Sequence, residues 1–242
     1  MRTIFITGVS SGLGRAFAQA ALESGHRVVG TLRRPDDAAA FEAVSPERAH
    51  ARLLDVTDDA AVARTVAEVE STIGAIDVVI ANAGYGVEGI FEETPLADMR
   101  DQFATNVFGV AATLQAALPF MRQRRSGHLM AVTSMGGLMA VPGMSAYCAS
   151  KFAVEGMLES LRKEVAGLGI HVTAISGNQL GDPEKAARAV LSILDVDEPP
   201  AHLVLGSDAL RLIAAARDAV DDDIRRWDNL SRSTDFAGEG RR

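Results

Sequence analysis

Tyr147 and Lys151 stand four residues apart in the stretch Ser145-Ala146-Tyr147-Cys148-Ala149-Ser150-Lys151. On a helix that spacing puts both side chains on one face about one turn apart, so an ammonium can sit beside a phenol. A free tyrosine ionises at about 10, and an adjacent positive charge stabilises the phenolate, bringing the group toward values useful for proton transfer at neutral pH. The same spacing also occurs as a plain surface pair, or as a tyrosine packed beneath a lysine stem. Which of these applies depends on the elements that place the pair.

Those elements alternate. Thr3 to Thr7 is a short apolar run that ends in Gly8-Val9-Ser10-Ser11-Gly12-Leu13-Gly14, after which Ala16 to Leu22 reads as a helix. Glycines allow positive φ and close approach to the backbone, while free N–H groups and the positive end of a helix dipole attract a diphosphate. A strand, a glycine turn and a helix at the start of a β/α chain point to a dinucleotide, the bland alternative being a tight turn with nothing bound. The second strand, Arg27 to Leu32, leads into Arg33-Arg34-Pro35. At this strand end a carboxylate favours the 2′-hydroxyl of NAD and an arginine accommodates the 2′-phosphate of NADP. Leu32 stands where the carboxylate would be and Arg33 and Arg34 supply positive charge, so NADP(H) is expected over NAD(H), with Ser10 and Ser11 as further phosphate contacts. If not, the arginines belong to a solvated loop.

The third strand, Ala51 to Val56, brings Asp55 to a strand end where it could accept from an adenine amino group, with Val56 beside it; otherwise it is a helix N-cap, a role that Thr57 or Asp58 fits better. A helix from about Ala60 to Ile73 and a strand from Ile76 to Ala81 precede Asn82-Ala83-Gly84, small residues past which a flat nicotinamide riboside could lie. Leu96 to Arg122 is largely helical but interrupted by Asn106, a poor helix-interior residue that should bend the helix or bond inward. The apolar length of this helix suggests packing against a second subunit. A fifth strand, His128 to Thr133, ends at Ser134; the tyrosine helix runs on to about Leu168. A strand at His171 to Ile175, a helix at Pro183 to Leu194, a strand at Leu203 to Gly206 and an amphipathic helix at Ala209 to Leu230 follow, and 231–242 is expected to be a loosely ordered tail. This alternation predicts one Rossmann-type α/β domain over 1–242, a doubly wound parallel seven-stranded sheet with helices on both faces.

Composition excludes other classes. The chain has 242 residues, 48% of them hydrophobic, and a formal net charge of −8. That size suits one domain with a large core, and the negative charge argues against nucleic-acid or anionic-membrane partners. No run approaching about 20 apolar residues and no signal-peptide pattern is found, which leads to a cytoplasmic expectation. Cys148 is the single cysteine, so no internal disulfide can form, and it reads as a small packed residue beside the site. The five histidines are scattered, and no metal site is expected.

Thr7-Gly8-x-x-x-Gly12-x-Gly14, Asp55, Asn82-Ala83-Gly84, Asn106, Ser134 and Tyr147-x-x-x-Lys151, in that order, resemble the short-chain dehydrogenase/reductase family across nearly the whole chain. The stretch from Gly137 to Ala153 is most like members resembling 17β-hydroxysteroid and retinol dehydrogenases. The resemblance implies an oxidoreductase acting on CH–OH with NADP, interconverting a secondary alcohol and a ketone or aldehyde. Tyr147 would be the general acid/base, and Lys151 would lower its pKa and hold the nicotinamide ribose. Ser134 would orient the substrate oxygen, and Asn106 would anchor a water linking Lys151 to solvent. The cofactor would lie on Gly8, Ser10, Ser11, Gly12, Leu13, Gly14, Arg33, Arg34, Asp55, Val56, Asn82, Ala83 and Gly84, together with Tyr147 and Lys151. A small apolar carbonyl or alcohol substrate and a homodimer or homotetramer are implied too, with Met135, Met139, Val141 and Met144 offering an apolar wall.

Two departures stand out. Ala81 replaces the first asparagine of the family's Asn-Asn-Ala-Gly. More seriously, the family's sixth strand leads to a Pro-Gly turn, a threonine and a lid of a few tens of residues, whereas here Ala174-Ile175 runs into Ser176-Gly177-Asn178-Gln179-Leu180-Gly181-Asp182-Pro183. Either the lid has been lost or this sequence omits one at 175–176; the second is expected, because an intact catalytic set without cover would be open to water. A peptide-bonded Ile175 and Ser176 would count against it. A silent NADP-binding sensor or partner-binding module is the rival reading, favoured by the missing lid and opposed by the complete catalytic set. A sugar-nucleotide epimerase or dehydratase shares Tyr-x-x-x-Lys but has a larger C-terminal substrate domain.

Overall fold

The computed structural model describes residues 1–177 and 181–236. Seven strands, β1 (Thr3–Ile6), β2 (Arg27–Leu32), β3 (Ala49–Leu53), β4 (Val78–Ala81), β5 (Gly127–Val132), β6 (Ile170–Gly177) and β7 (His202–Leu205), form one sheet in the order β3-β2-β1-β4-β5-β6-β7. Every neighbouring pair is parallel. The helices between them are α1 (Gly12–Glu23), α2 (Pro35–Glu42), α3 (Asp59–Thr72), α4 (Leu96–Phe103), α5 (Gly109–Arg124), α6 (Ser145–Glu164), α7 (Pro183–Ser192), α8 (Ser207–Arg226) and α9 (Asp228–Arg232).

Successive strand residues point to opposite faces, so a sheet covered on both sides needs apolar residues in unbroken runs. On one face Phe5, Val79, Leu129 and Val172 meet Val62 and Val66 of α3, Leu114 of α5 and Leu158 of α6. On the other, Ile4, Ile6, Val78, Ile80 and Met130 meet Phe17 and Ala21 of α1 and Ala187 and Val190 of α7. The strand order reverses between β1 and β4, and such a switch point opens a crevice at the carboxyl ends of the two strands.

The differences from the sequence reading are local. Strand β3 is Ala49–Leu53 rather than Ala51 to Val56, because its ladder with β2 runs from Ala49 opposite Val28 to Leu53 opposite Leu32. Asp55 therefore follows the strand. The helix around Asn106 changes pitch: Ala104–Phe108 is a π-helical turn between α4 and α5. Taken together Leu96–Arg124 spans 29 residues and is long and apolar enough to cross a membrane, a stretch the sequence reading did not find; here it packs on α3 and α6 through residues such as Val110, Leu114 and Met121. Ile175 and Ser176 are successive residues of β6, opposite Leu203 and Val204, so the strand crosses the 175–176 position of the expected omission. Asn178 to Leu180, read as the far end of a lid, lie outside the described residues, as do residues 237–242 of the expected tail; Ser231 and Arg232 complete α9.

Candidate active site

The crevice is built from two loops stitched together. After β1, Gly8 (φ 74) donates its N–H to the Thr31 carbonyl at 3.0 Å. The Thr7 hydroxyl accepts the N–H groups of Asn82 (2.9 Å) and Ala83 (3.0 Å), and the Asn82 amide donates back to the carbonyls of Thr7 (2.9 Å) and Gly8 (3.1 Å). Asn82 thus works as a fastener between the β1 and β4 ends. Gly14 allows that closeness, since a Cβ there would collide with the Gly8 carbonyl and the Asn82 amide. Gly12 differs: its φ is 56, and a Cβ would meet nothing within 4 Å. Helix α1 starts at Gly12 behind Ser11, whose side chain makes no capping bond, while Ser10 offers its carbonyl to the Arg15 guanidinium. Open space at the start of a helix, where backbone N–H groups lack intrahelical partners, fits a diphosphate, with Leu13 half-buried alongside.

The two arginines part company. Arg34 precedes α2 and forms a two-pronged pair with Asp37 at 2.9 and 3.1 Å. Arg33 makes no hydrogen bond or ion pair among the described residues, and its charge acts on Asp55 and Tyr85. Leu32 is buried at the position where a carboxylate would read the ribose. One oxygen of Asp55 accepts the backbone N–H (3.0 Å) and hydroxyl (2.8 Å) of Thr57, which hold the carboxyl below its usual range; the helix cap itself is Asp58, whose side chain accepts from the Ala61 N–H. Val56 is buried, and a Cβ on Gly109 would press on its side chain, so Val56 seats the helix that carries Asn106.

The π-helical turn aims Asn106 inward. Its side chain is fully buried, accepting from the Tyr85 N–H (3.0 Å) and donating to the Tyr85 carbonyl (2.8 Å) and the Ser150 hydroxyl (3.2 Å). Gln102, one turn earlier and also buried, donates to the same Tyr85 carbonyl at 2.9 Å. The water-anchoring role implied for Asn106 finds its amide already committed to protein: it fixes the loop after Gly84 against α6. A Cβ at Gly84 would come within 3.0 Å of the Asn106 oxygen and 3.7 Å of Lys151 Nζ, so a glycine is needed there. Two residues on, Gly86 lies against the edge of the Tyr147 ring.

Helix α6 carries Tyr147 and Lys151 as its spacing requires, with Nζ 5.7 Å from the ring centre. The ammonium donates to the Val132 carbonyl at 2.8 Å. Burial pushes the lysine down to about 8, against the opposing charge of Glu155. Burial also pushes the Tyr147 phenol up, while a hydrogen bond with Ser134 pulls it down. The lysine was expected to lower the phenol; its ammonium is directed at Val132 instead, and desolvation dominates. Ser134 caps a 3-10 turn (Met135–Gly137), accepting from the Gly136 N–H at 3.1 Å. Cys148 is buried, with its sulfur 3.3 Å from where a Gly136 Cβ would be, as a packed residue should be. The structure therefore brings Asn106, Ser134, Tyr147, Lys151 and Gly84 together at one crevice, with the Gly8–Gly14 turn and Asn82 along its floor.

Sequence reasoning passed over a second polar group behind this set. Glu155, one turn beyond Lys151, is buried among Thr133, Ser176 and His202. The signal was present: Tyr147, Lys151 and Glu155 share one helix face, and an acid on a buried face must be paired.

Comparison with known proteins gives the family and agrees with the fold. The family described as short chain dehydrogenase matches residues 2–180. An oxidoreductase, BOA17, of Botryotinia fuckeliana is 34% identical over 265 positions, covering 94% of this chain and 97% of its own. Because 94% of 242 residues is about 227, some 38 of those positions have no residue here. An NADPH-dependent 3-dehydrocapnine reductase of Ornithobacterium rhinotracheale is 33% identical over 72% of this chain and 64% of its own. The crystal structure of a short-chain dehydrogenase from Streptomyces avermitilis superposes with a TM-score of 0.94 at 36% identity, covering 97% of this chain and 99% of that one. The chain belongs to the short-chain dehydrogenase family, oxidoreductases that bind a nicotinamide cofactor.

Proposed function

We propose that this protein is an NADP(H)-dependent oxidoreductase interconverting a secondary alcohol and a ketone or aldehyde, with Tyr147 as general acid/base. The observation that carries the reading is the placement of a half-buried phenol beside the Ser134 hydroxyl, with a buried ammonium behind it on the same helix face. When bound, the nicotinamide supplies or accepts a hydride at the carbon bearing the oxygen. The protein's part is electrostatic: charge gathers on that oxygen, where Ser134 donates a hydrogen bond and Tyr147 gives up its proton, or takes it in the reverse direction. Burial keeps the phenol protonated at neutral pH, which suits the reducing direction. The Gly12 and Ser11 backbone would hold the diphosphate, Lys151 the nicotinamide ribose and Asp55 the adenine amino group.

Arg33 supports NADP(H) over NAD(H), since it is not tied to a protein partner and stands beyond a strand end that lacks a carboxylate; the relative whose name records NADPH dependence agrees. Arg34 is committed to Asp37 and contributes less. Met144, near Gly86, together with Tyr85 and the exposed Ile90 and Phe91, gives an apolar mouth for an apolar carbonyl or alcohol substrate. Exposed Leu96, Phe108 and Phe152 on α4, the π-turn and α6 favour a homodimer or homotetramer, and we place the protein in the cytoplasm. The short passage from β6 to α7 favours the second reading, a binding module that holds NADP(H) without turnover. Tyr147→Phe separates the two: turnover of a ketone panel with NADPH should fall by about 10²–10⁴-fold while NADPH affinity is kept. Unchanged turnover would remove Tyr147 from the mechanism, and no turnover in the parent would leave the module reading.

A further inference from the structure

Behind the Tyr147 and Lys151 pair, Glu155 gathers the ends of three strands. One of its oxygens accepts the Thr133 hydroxyl at 2.5 Å and the Ser176 hydroxyl at 2.9 Å, and the other lies 3.1 Å from His202 Nδ1. Thr133 Oγ1 also touches Ser176 Oγ (2.7 Å) and the Ile175 carbonyl (3.2 Å). Thr133 and Ser176 follow or end β5 and β6, and His202 opens β7. Each hydroxyl carries one proton, so Thr133 and Ser176 share two protons among their contacts with Glu155, with each other and with the Ile175 carbonyl, a closed polar cluster around the carboxyl group. Glu155 is 6% exposed, whereas the His202 side chain is 35% exposed, so His202 is the end of the cluster nearest solvent.

The position of this carboxylate matters because of what flanks Thr133. Val132 supplies the carbonyl that receives the Lys151 ammonium, and Ser134 is the hydroxyl beside Tyr147. Gly137 closes the packing, since a Cβ there would meet the Lys151 carbonyl at 2.9 Å and Glu155 Cγ at 3.0 Å. We propose that Glu155 is a positioning residue for the active site: it clamps the Val132 to Ser134 segment against α6 and places a fixed negative charge one helical turn behind the Lys151 ammonium. The inference deepens the proposed function and rests on it only for turnover. The charge also offsets the burial of Lys151, which otherwise favours loss of the proton. The titratable groups facing Lys151 are Tyr147 and Glu155 from its own helix; Asn106 and the Val132 carbonyl face it from other elements without titrating. Glu155 in turn faces His202, which also acts on the exposed Glu159.

The chain has three lysines, Lys151, Lys163 and Lys185, so apoprotein labelled with 13C at the lysine ε-carbon gives three signals, with Lys151 identified by its loss in Lys151→Met. In Glu155→Gln, which keeps shape and loses charge, the Lys151 midpoint should move to lower pH by about one unit. Glu155→Met, which removes the same charge with a side chain of similar length, should move it the same way and serves if the glutamine variant does not fold. An unmoved midpoint in a folded variant overturns the proposal, because a purely structural Glu155 would change stability and leave Lys151 alone. With 9,10-phenanthrenequinone and NADPH as the turnover probe, the alkaline limb of kcat should shift with the midpoint. If the parent protein reduces neither this quinone nor a panel of ketones, the proposed function fails and the lysine midpoint alone decides the role of Glu155.

Discussion

Replacing Lys151 with methionine should stabilise the fold at neutral pH while ending catalysis. Burial takes the lysine from 10.5 to about 8 in the folded protein. At about 1.4 kcal/mol per unit, the ammonium then costs the folded state about 3 kcal/mol wherever both states are protonated, that is, below pH 8. As pH rises from about 8 to 10.5 the folded state has released the proton and the unfolded state has not, so the cost disappears and stability rises. Methionine has similar length and no charge, and it removes this cost at every pH. It also leaves the Val132 carbonyl without its 2.8 Å donor, a loss of about 1–3 kcal/mol. The variant should therefore be between equally stable and roughly 2 kcal/mol more stable at pH 7. Its advantage should shrink by about 3 kcal/mol on going to pH 10.5. Urea unfolding of both proteins at pH 7, 8, 9 and 10, followed by far-ultraviolet circular dichroism, measures the difference directly. Stability curves that run parallel across this range would show that Lys151 is not desolvated as described.

Two further substitutions test the cofactor crevice. Gly14→Ala should destabilise by about 1–3 kcal/mol in chemical denaturation, since its Cβ meets backbone that cannot move aside. Gly12→Ala should cost only about 1 kcal/mol for its left-handed φ. Yet Gly12→Ala should weaken NADPH binding by about tenfold or more, because its Cβ enters the space assigned to the diphosphate. Equal stability losses would mean that the two glycines do the same job. Arg33→Ala should raise the Kd for NADPH by about tenfold with little change for NADH, whereas Arg34→Ala, which breaks an exposed pair with Asp37, should alter neither much. Fluorescence titration with both cofactors reads this, and an equal response to the two would remove the argument for a 2′-phosphate contact at Arg33.

The sheet and the front of the site were legible because their signals are local. Unbroken apolar runs such as Val78–Ala81 mark strands covered on both faces, glycines mark the turn after β1, and four-residue spacing is enough to pair Tyr147 with Lys151. Asn106 was legible as an anomaly: an asparagine inside an apolar helix has to bond inward, and its bonds to Tyr85 and Ser150 together with the π-turn are how it does so. Register was less accessible. Nothing in Ala49-His50-Ala51-Arg52 announces a strand, and only its pairing with Val28 to Thr31 draws β3 two residues earlier than its apolar content suggests.

What the sequence hid is polar, buried and distant along the chain. Glu155 meets Thr133 across 22 residues and His202 across 47, and no short motif records such meetings. A buried carboxylate is destabilising unless several donors converge on it, and here those donors come from the ends of β5 and β6 and the start of β7. Thr133 lies just past β5 and Ser176 is the next-to-last residue of β6, and both turn hydroxyls toward α6 close to where the sheet gives way to the crevice. The same termination exposes the Val132 carbonyl to Lys151 and sets Ser134 beside Tyr147. Catalytic placement and carboxylate burial therefore depend on one structural event, the end of β5, and a substitution that slips β5 by one residue would exchange the faces of Val132, Thr133 and Ser134 and undo both together.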